Sequence, residues 1–231
     1  MLALVGSGEY LPPMEPVDRI LLQRIPGPPR VVCLPTAAGT EGPERIGYWH
    51  RLALDHFTQL GVPVRSLPVV DPASANDPAL AESIAGADFV YLSGGHPGYL
   101  FRTLSGSPAW KAVLSVLDRG GLLAGCSAGA MVLGEFFFNF PPWRRLHGFR
   151  LLPGAMVIPH YDEIPPWISG LIRLWAGRRS IAVGIEADTA LFVDGGRMEV
   201  LGSGGVTVWD RSVKIRYTQG DMPSFERLKF G

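Results

Sequence analysis

Residues 121 to 133 read Gly121-Leu122-Leu123-Ala124-Gly125-Cys126-Ser127-Ala128-Gly129-Ala130-Met131-Val132-Leu133. An apolar run enters this stretch, a Gly-x-Ser-x-Gly turn interrupts it, and a second apolar run leaves it. That order predicts a buried strand, a very sharp turn and a helix. Glycines two before and two after the serine let strand and helix crowd together where a Cβ would clash. The turn lifts the Ser127 hydroxyl clear of the sheet and sets the Ala128 N–H to face an oxyanion developing beside it. Taken alone the motif also fits a close-packed Gly/Ala junction with Ser127 as a helix N-cap. The strand–turn–helix context favours a nucleophile, and with it a serine hydrolase.

Working outward, strands and helices alternate on the N-terminal side. Leu2 to Val5, Arg30 to Leu34, Val62 to Leu67, Asp88 to Leu92 and Leu122 to Ala124 read as buried strands. Val17 to Ile25, Pro43 to Leu60, Pro78 to Ala85 and Ser107 to Arg119 read as helices, the second with Ile46, Trp49, Leu52, Ala53, His56, Phe57 and Leu60 on one face. Such alternation predicts an α/β fold with a mostly parallel central sheet flanked by helices. In sheets of this kind a site lies beyond the carboxyl ends of the strands. Those ends carry Gly6-Ser7-Gly8, Thr36-Ala37, Gly94-Gly95-His96 and the Ser127 turn. The last third changes character: Ile181 to Ile185, Ala190 to Val193, Met198 to Leu201, Val206 to Trp209 and Val213 to Tyr217 are short strands, with a hairpin signal at Asp194-Gly195-Gly196. They predict a C-terminal antiparallel β extension that completes the sheet within one domain spanning residues 1 to 231.

Composition sets the class. The chain has 231 residues, 47% hydrophobic and 18% charged, which suits a compact enzyme and not a disordered chain. Lys+Arg and Asp+Glu balance at 21 each, so nucleic acid is not an expected partner. No basic start followed by a long apolar run marks a signal peptide, and a cytoplasmic location is expected. Gly121 to Phe140 is apolar enough to suggest a membrane span, but Gly125, Ser127, Gly129, Gly134 and Glu135 interrupt it, so no membrane association is expected. Cys33 and Cys126 are the only cysteines and lack metal-ligand spacing. Cys126, the x of the motif, is expected to point away from the nucleophile position.

Four further pieces complete a pattern: Tyr91-Leu92-Ser93-Gly94-Gly95, Pro35-Thr36-Ala37, Pro159-His160-Tyr161-Asp162, and Gly184-Ile185-Glu186-Ala187-Asp188-Thr189-Ala190-Leu191. Together with the Ser127 motif they resemble the dipeptidase E / cyanophycinase family of serine peptidases. That family has a flavodoxin-like, class I glutamine amidotransferase-like fold. The resemblance implies Ser127 as nucleophile, His160 as general base, and an oxyanion hole from the backbone N–H groups of Gly95 and Ala128. It implies no metal and no cofactor. Its substrates are small peptides, aspartyl in one branch and β-aspartyl in the other. A non-catalytic member serving as a binding or structural protein is the alternative. A glutamine amidotransferase would place Cys where Ser127 stands.

Of the five histidines, His50 and His56 fall within a predicted helix, and His147 stands beside Arg144 and Arg145. His160 ends the apolar run Ala155 to Ile158, where a catalytic side chain belongs, and is favoured over His96 as base. His96 follows the paired glycines, where the family carries Asn or Asp. Gly94 and His96 are the expected substrate contacts. Family enzymes also place an acid after the turn helix to orient the histidine. Glu135, the one carboxylate between Ser127 and His160, is favoured for this role, with Asp162 and Glu186 as alternatives. The aromatic cluster Phe136, Phe137, Phe138, Phe140 and Trp143, like Trp167 and Trp175, reads first as packing, and a homodimer contact is open. The arginine pairs at 144–145 and 178–179 read as solvated surface.

Overall fold

The computed structural model describes residues 1–139, 144–165, 180–210 and 213–223. Phe140, Trp143, Trp167, Trp175 and the pair at 178–179 lie outside them. Two sheets organise the chain. The first contains β1 (Leu2–Val5), β2 (Val31–Leu34), β3 (Val64–Ser66), β4 (Phe89–Leu92), β5 (Leu122–Cys126), β10 (Thr189–Asp194) and β11 (Arg197–Gly202), in the order β11-β10-β1-β5-β4-β2-β3. Its five N-terminal strands are parallel, and β10 and β11 add an antiparallel edge beside β1. This is the expected α/β sheet, with class I glutamine amidotransferase-like topology.

Every residue of β1, β2, β4 and β5 is buried, because helices cover both faces of a parallel sheet. The pleat then sorts side chains by parity. Leu2, Leu4, Val90, Leu92 and Leu123 enter one core with α6 (Pro108–Asp118) and α7 (Ala128–Leu133). Ala3, Val5, Phe89, Tyr91, Leu122, Ala124 and Cys126 enter the other, with α1 (Glu15–Gln23) and α2 (Pro43–Gln59). Three shorter helices, α3 (Pro72–Ala75), α4 (Pro78–Ala85) and α5 (Pro97–Leu104), complete the helical layer.

The second sheet departs from the sequence reading. It holds β6 (Gly134–Asn139), β7 (Arg144–His147), β8 (Leu152–Ile158), β9 (Ile181–Ile185), β12 (Gly205–Asp210) and β13 (Val213–Thr218), in the order β13-β12-β9-β8-β6-β7. The C-terminal strands therefore do not all extend the central sheet: β10 and β11 do, while β9, β12 and β13 pair elsewhere. Helix α7 ends at Gly134 and the chain turns straight into β6. Because α7 touches β1 and β5 on one side and β6 and β8 on the other, it joins the two sheets. No helix among the described residues is long and apolar enough to cross a membrane. Phe137 is fully buried in the core between the sheets, whereas Phe136 carries the Arg145 guanidinium over its ring at 3.7 Å.

Candidate active site

Ser127 sits between β5 and α7 at φ 50°, ψ −112°, a backbone region costly for any residue with a Cβ, by about 1–3 kcal/mol. Two backbone hydrogen bonds hold it there: Ser127 N–H donates to Val5 O at 3.1 Å, and Met131 N–H to Ser127 O at 3.0 Å. The flanking glycines answer to close approach. A Cβ on Gly125 would lie 2.6 Å from the Gly129 carbonyl, and one on Gly129 would run into Leu92 O. Parity sends Cys126 to the face opposite α7, where its thiol is buried and donates to Glu9. Burial, with Glu9 adding to it, pushes that thiol well above its usual range, so it is no nucleophile.

His160 follows the end of β8 and has left-handed backbone, φ 51°, ψ 37°. Its Nε2 lies 3.1 Å from Ser127 Oγ. The next residues fix its position. The Tyr161 ring lies against Gly184, and Asp162 Oδ1 accepts from Ala187 N–H at 2.9 Å. Ser7 bridges to Ala187 in turn, so the Gly184–Asp188 segment ties the His160 turn to the end of β1. His160 Nδ1 stands 3.2 Å from Glu163 Oε1. An ionised carboxylate only accepts, so Nδ1 carries the hydrogen and Nε2 is left to accept from Ser127.

None of the acids singled out in the sequence is the one at His160. Glu135 lies at the start of β6, just past the C-terminal end of α7, whereas Ser127 precedes its N-terminal end. Its carboxylate accepts from Gly154 N–H at 2.6 Å and from Arg150 at 3.3 Å. Asp162 is used on Ala187. Glu186 forms a two-pronged pair with Arg216 at 2.7 and 2.6 Å, which holds its carboxyl below the usual range. Glu163 takes the place because the chain leaves β8 into a 3₁₀ turn, Tyr161–Glu163. Such a turn brings positions three apart onto one side, where a continued strand would have brought Asp162.

The glycine loop after β4 faces the same serine. A Cβ on Gly94 would lie 3.3 Å from Ser127 Cβ. Gly95 has φ 138°, and a Cβ there would lie 2.6 Å from the Ala37 carbonyl, so both glycines are required. Ser93 N–H donates to Leu34 O at 3.2 Å, Gly94 N–H to Glu9 Oε1 at 2.8 Å and His96 N–H to Ala37 O at 2.8 Å. Gly95 N–H, between them, has no acceptor among the described residues, and neither has Ala128 N–H. His96 is the N-cap of α5: its Nδ1 accepts from Tyr99 N–H at 3.1 Å, so Nε2 carries its hydrogen. Sequence reasoning missed Glu9 and Glu163, which belong to no motif. Among the described residues no group of three His, Cys, Asp or Glu side chains is arranged to hold a metal ion.

A strand-end serine in a strained turn, paired with a histidine from a second sheet, defines this chain as an α/β protein of the hydrolase kind. The model of peptidase family S51 matches residues 2–201, and the chain belongs to that family. A crystal structure of a peptidase from an acI-B1 Actinobacterium is 34% identical, with a TM-score of 0.88 over 97% of this chain and 96% of the other. A structure described as a candidate peptidase E from Listeria monocytogenes EGD-e has a TM-score of 0.66 at 19% identity, covering 88% of this chain and 98% of the other, a likeness of fold. No curated protein matches the sequence significantly. Family membership supports hydrolase activity.

Proposed function

We propose that the protein is a serine peptidase that cleaves small peptides through an acyl-enzyme on Ser127. The observation that carries this is the 3.1 Å contact between Ser127 Oγ and His160 Nε2 at the carboxyl edge of β5. As Oγ attacks the scissile carbonyl, Nε2 takes its proton, and the carbonyl oxygen becomes an anion received by Gly95 and Ala128 N–H. The same Nε2 proton passes to the departing amine as the C–N bond breaks. Water then gives a proton to Nε2 and its hydroxyl to the ester, and the returning proton restores Ser127. Glu163 orients the ring and stabilises the imidazolium, the role the sequence reading gave to Glu135. Exposed to 66% and 3.2 Å away, Glu163 contributes less than a buried acid would.

The acidic-peptide reading draws on a cavity of about 440 Å³ between α5 and β7, lined by Arg102, Arg144 and His147 with Phe101, Asn139 and Leu146. Among the described residues no carboxylate lines it, and α5 is capped by His96 beside the glycine loop. His96 Nε2–H faces substrate in this reading. The test is hydrolysis of α-aspartyl dipeptides, β-aspartyl dipeptides and N-terminal Asp or Glu p-nitroanilides by wild type and Ser127→Ala. Cleavage by wild type that Ser127→Ala abolishes supports the peptidase and selects the linkage. A folded wild type that cleaves none of them favours the non-catalytic alternative.

A further inference from the structure

We infer that Glu9 is a positioning residue that sets the Gly95 N–H as an oxyanion donor by clamping the glycine loop to the Ser127 turn; this rests on the reading of Ser127 above. Glu9 lies in the turn after β1 and is only 6% exposed. Its two oxygens reach two different elements. Oε1 accepts from Gly94 N–H at 2.8 Å, and Oε2 accepts from the Cys126 thiol at 2.8 Å. One carboxylate therefore bridges the residue before Gly95 and the residue before Ser127. It also stands close to the serine, since a Cβ on Gly94 would lie 2.8 Å from Oε1 and 3.8 Å from Ser127 Oγ.

Two features show that this turn is built to hold the loop. Tyr10 has φ 63°, uncommon for an aromatic residue, and its buried hydroxyl lies 3.0 Å from Ser93 Oγ. Consecutive residues 9 and 10 thus grip consecutive residues 93 and 94. In addition, no cation among the described residues pairs with Glu9. Burying a carboxylate without a counter-ion is costly, and its hydrogen bonds to the loop and to the serine turn are what offset that cost. What it achieves is specific. Accepting from Gly94 N–H fixes the Ser93–Gly94 peptide, and His96 N–H to Ala37 O fixes the Gly95–His96 peptide; the Gly94–Gly95 peptide held between them carries the loop N–H, that of Gly95, left without an acceptor among the described residues. An oxyanion donor must be aimed before the reaction, because reorganisation during it forfeits most of the stabilisation.

The test uses a fluorophosphonate, whose attack by Ser127 needs the same donors and no knowledge of the natural substrate. The rate of inactivation at saturation (kinact) and the concentration for half-saturation (KI) are measured for wild type, Glu9→Leu and Glu9→Gln, with Tm alongside. Glu9→Leu is expected to lower kinact about 100-fold with KI within about threefold, the loss typical of one oxyanion donor. Glu9→Gln keeps an acceptor for Gly94 but meets the Cys126 thiol with an amide, so kinact falls only by roughly three- to tenfold. Cys126→Ala added to Glu9→Gln removes that mismatch and recovers the rate. A folded Glu9→Leu with wild-type kinact, or one losing kinact and KI together, overturns the inference. Should Glu9→Leu not fold, Glu9→Gln decides: kinact equal to wild type, or a loss that Cys126→Ala does not recover, overturns it. A wild type that takes no label on Ser127 would instead overturn the peptidase reading itself.

Discussion

The imidazole of His160 has two partners, Ser127 Oγ and Glu163 Oε1, and point mutation tests the role of the second. Glu163 reaches Nδ1 from a surface turn, whereas Glu135 is committed to Gly154 N–H and Arg150. Glu163→Gln is therefore expected to lower kcat by about 10- to 100-fold, less than the roughly 10⁴-fold known for a buried triad acid, because solvent shares the load. Glu135→Gln is expected to leave kcat within about threefold and to lower Tm, since it weakens a charge-assisted bond to a backbone N–H. Steady-state kinetics of both variants check this. The reverse pattern would return the role to the acid that the sequence favoured. Local geometry explains why Asp162, the alternative suggested by a continued strand, does not face the imidazole. His160 to Asp162 would share a face on a strand, but left-handed backbone at His160 starts a 3₁₀ turn, and there the partner is three residues on.

At the scale of elements, the His160 turn is held by contacts that run from β8 through the loop after β9 to the edge strand β13. Glu186 in that loop pairs with Arg216 of β13, and a Cβ on Gly205 would meet the same guanidinium. The hydrogen bond from Arg216 holds the Glu186 carboxyl below its ordinary 4.5. The folded state thus binds this proton less readily than the unfolded chain, so the stabilisation is complete above about pH 4.5 and is lost as pH falls through the folded value. Thermal unfolding followed from pH 7 to pH 3 is expected to show a smaller acid decline for Glu186→Gln than for wild type. Equal declines would mean that the pair does not support the turn. The sequence motif Gly184 to Leu191 is explained in the same terms: Gly184 accommodates Tyr161, Ala187 N–H holds Asp162, and Asp188 occupies a positive φ of 52°.

For the whole molecule, the parallel half was legible because each strand and its covering helix declare themselves by local periodicity. The Ser127 turn was legible because its glycines have one steric reason for being there. The second sheet was not. Residues 134–139 follow an apolar helix directly, and Phe136-Phe137-Phe138 do not alternate with polar residues, so no strand period announces β6. Whether β9 or β10 joins the central sheet is decided by pairing across long sequence separations, with β1 for β10 and with β8 and β12 for β9. Glu9 was hidden for a similar reason: its partners are 85 and 117 residues away, and a lone acid after a glycine turn reads as solvated. The architecture that results places serine and histidine on different sheets, joined by α7. Their contact is the claim on which the account stands. The most direct measurement is peptide mapping of the folded protein after fluorophosphonate treatment, for wild type and His160→Gln. A single adduct on Ser127 is expected, with its formation slowed by about 10²–10⁴-fold in His160→Gln. An adduct elsewhere, no adduct on folded protein, or an unchanged rate without the imidazole would contradict it.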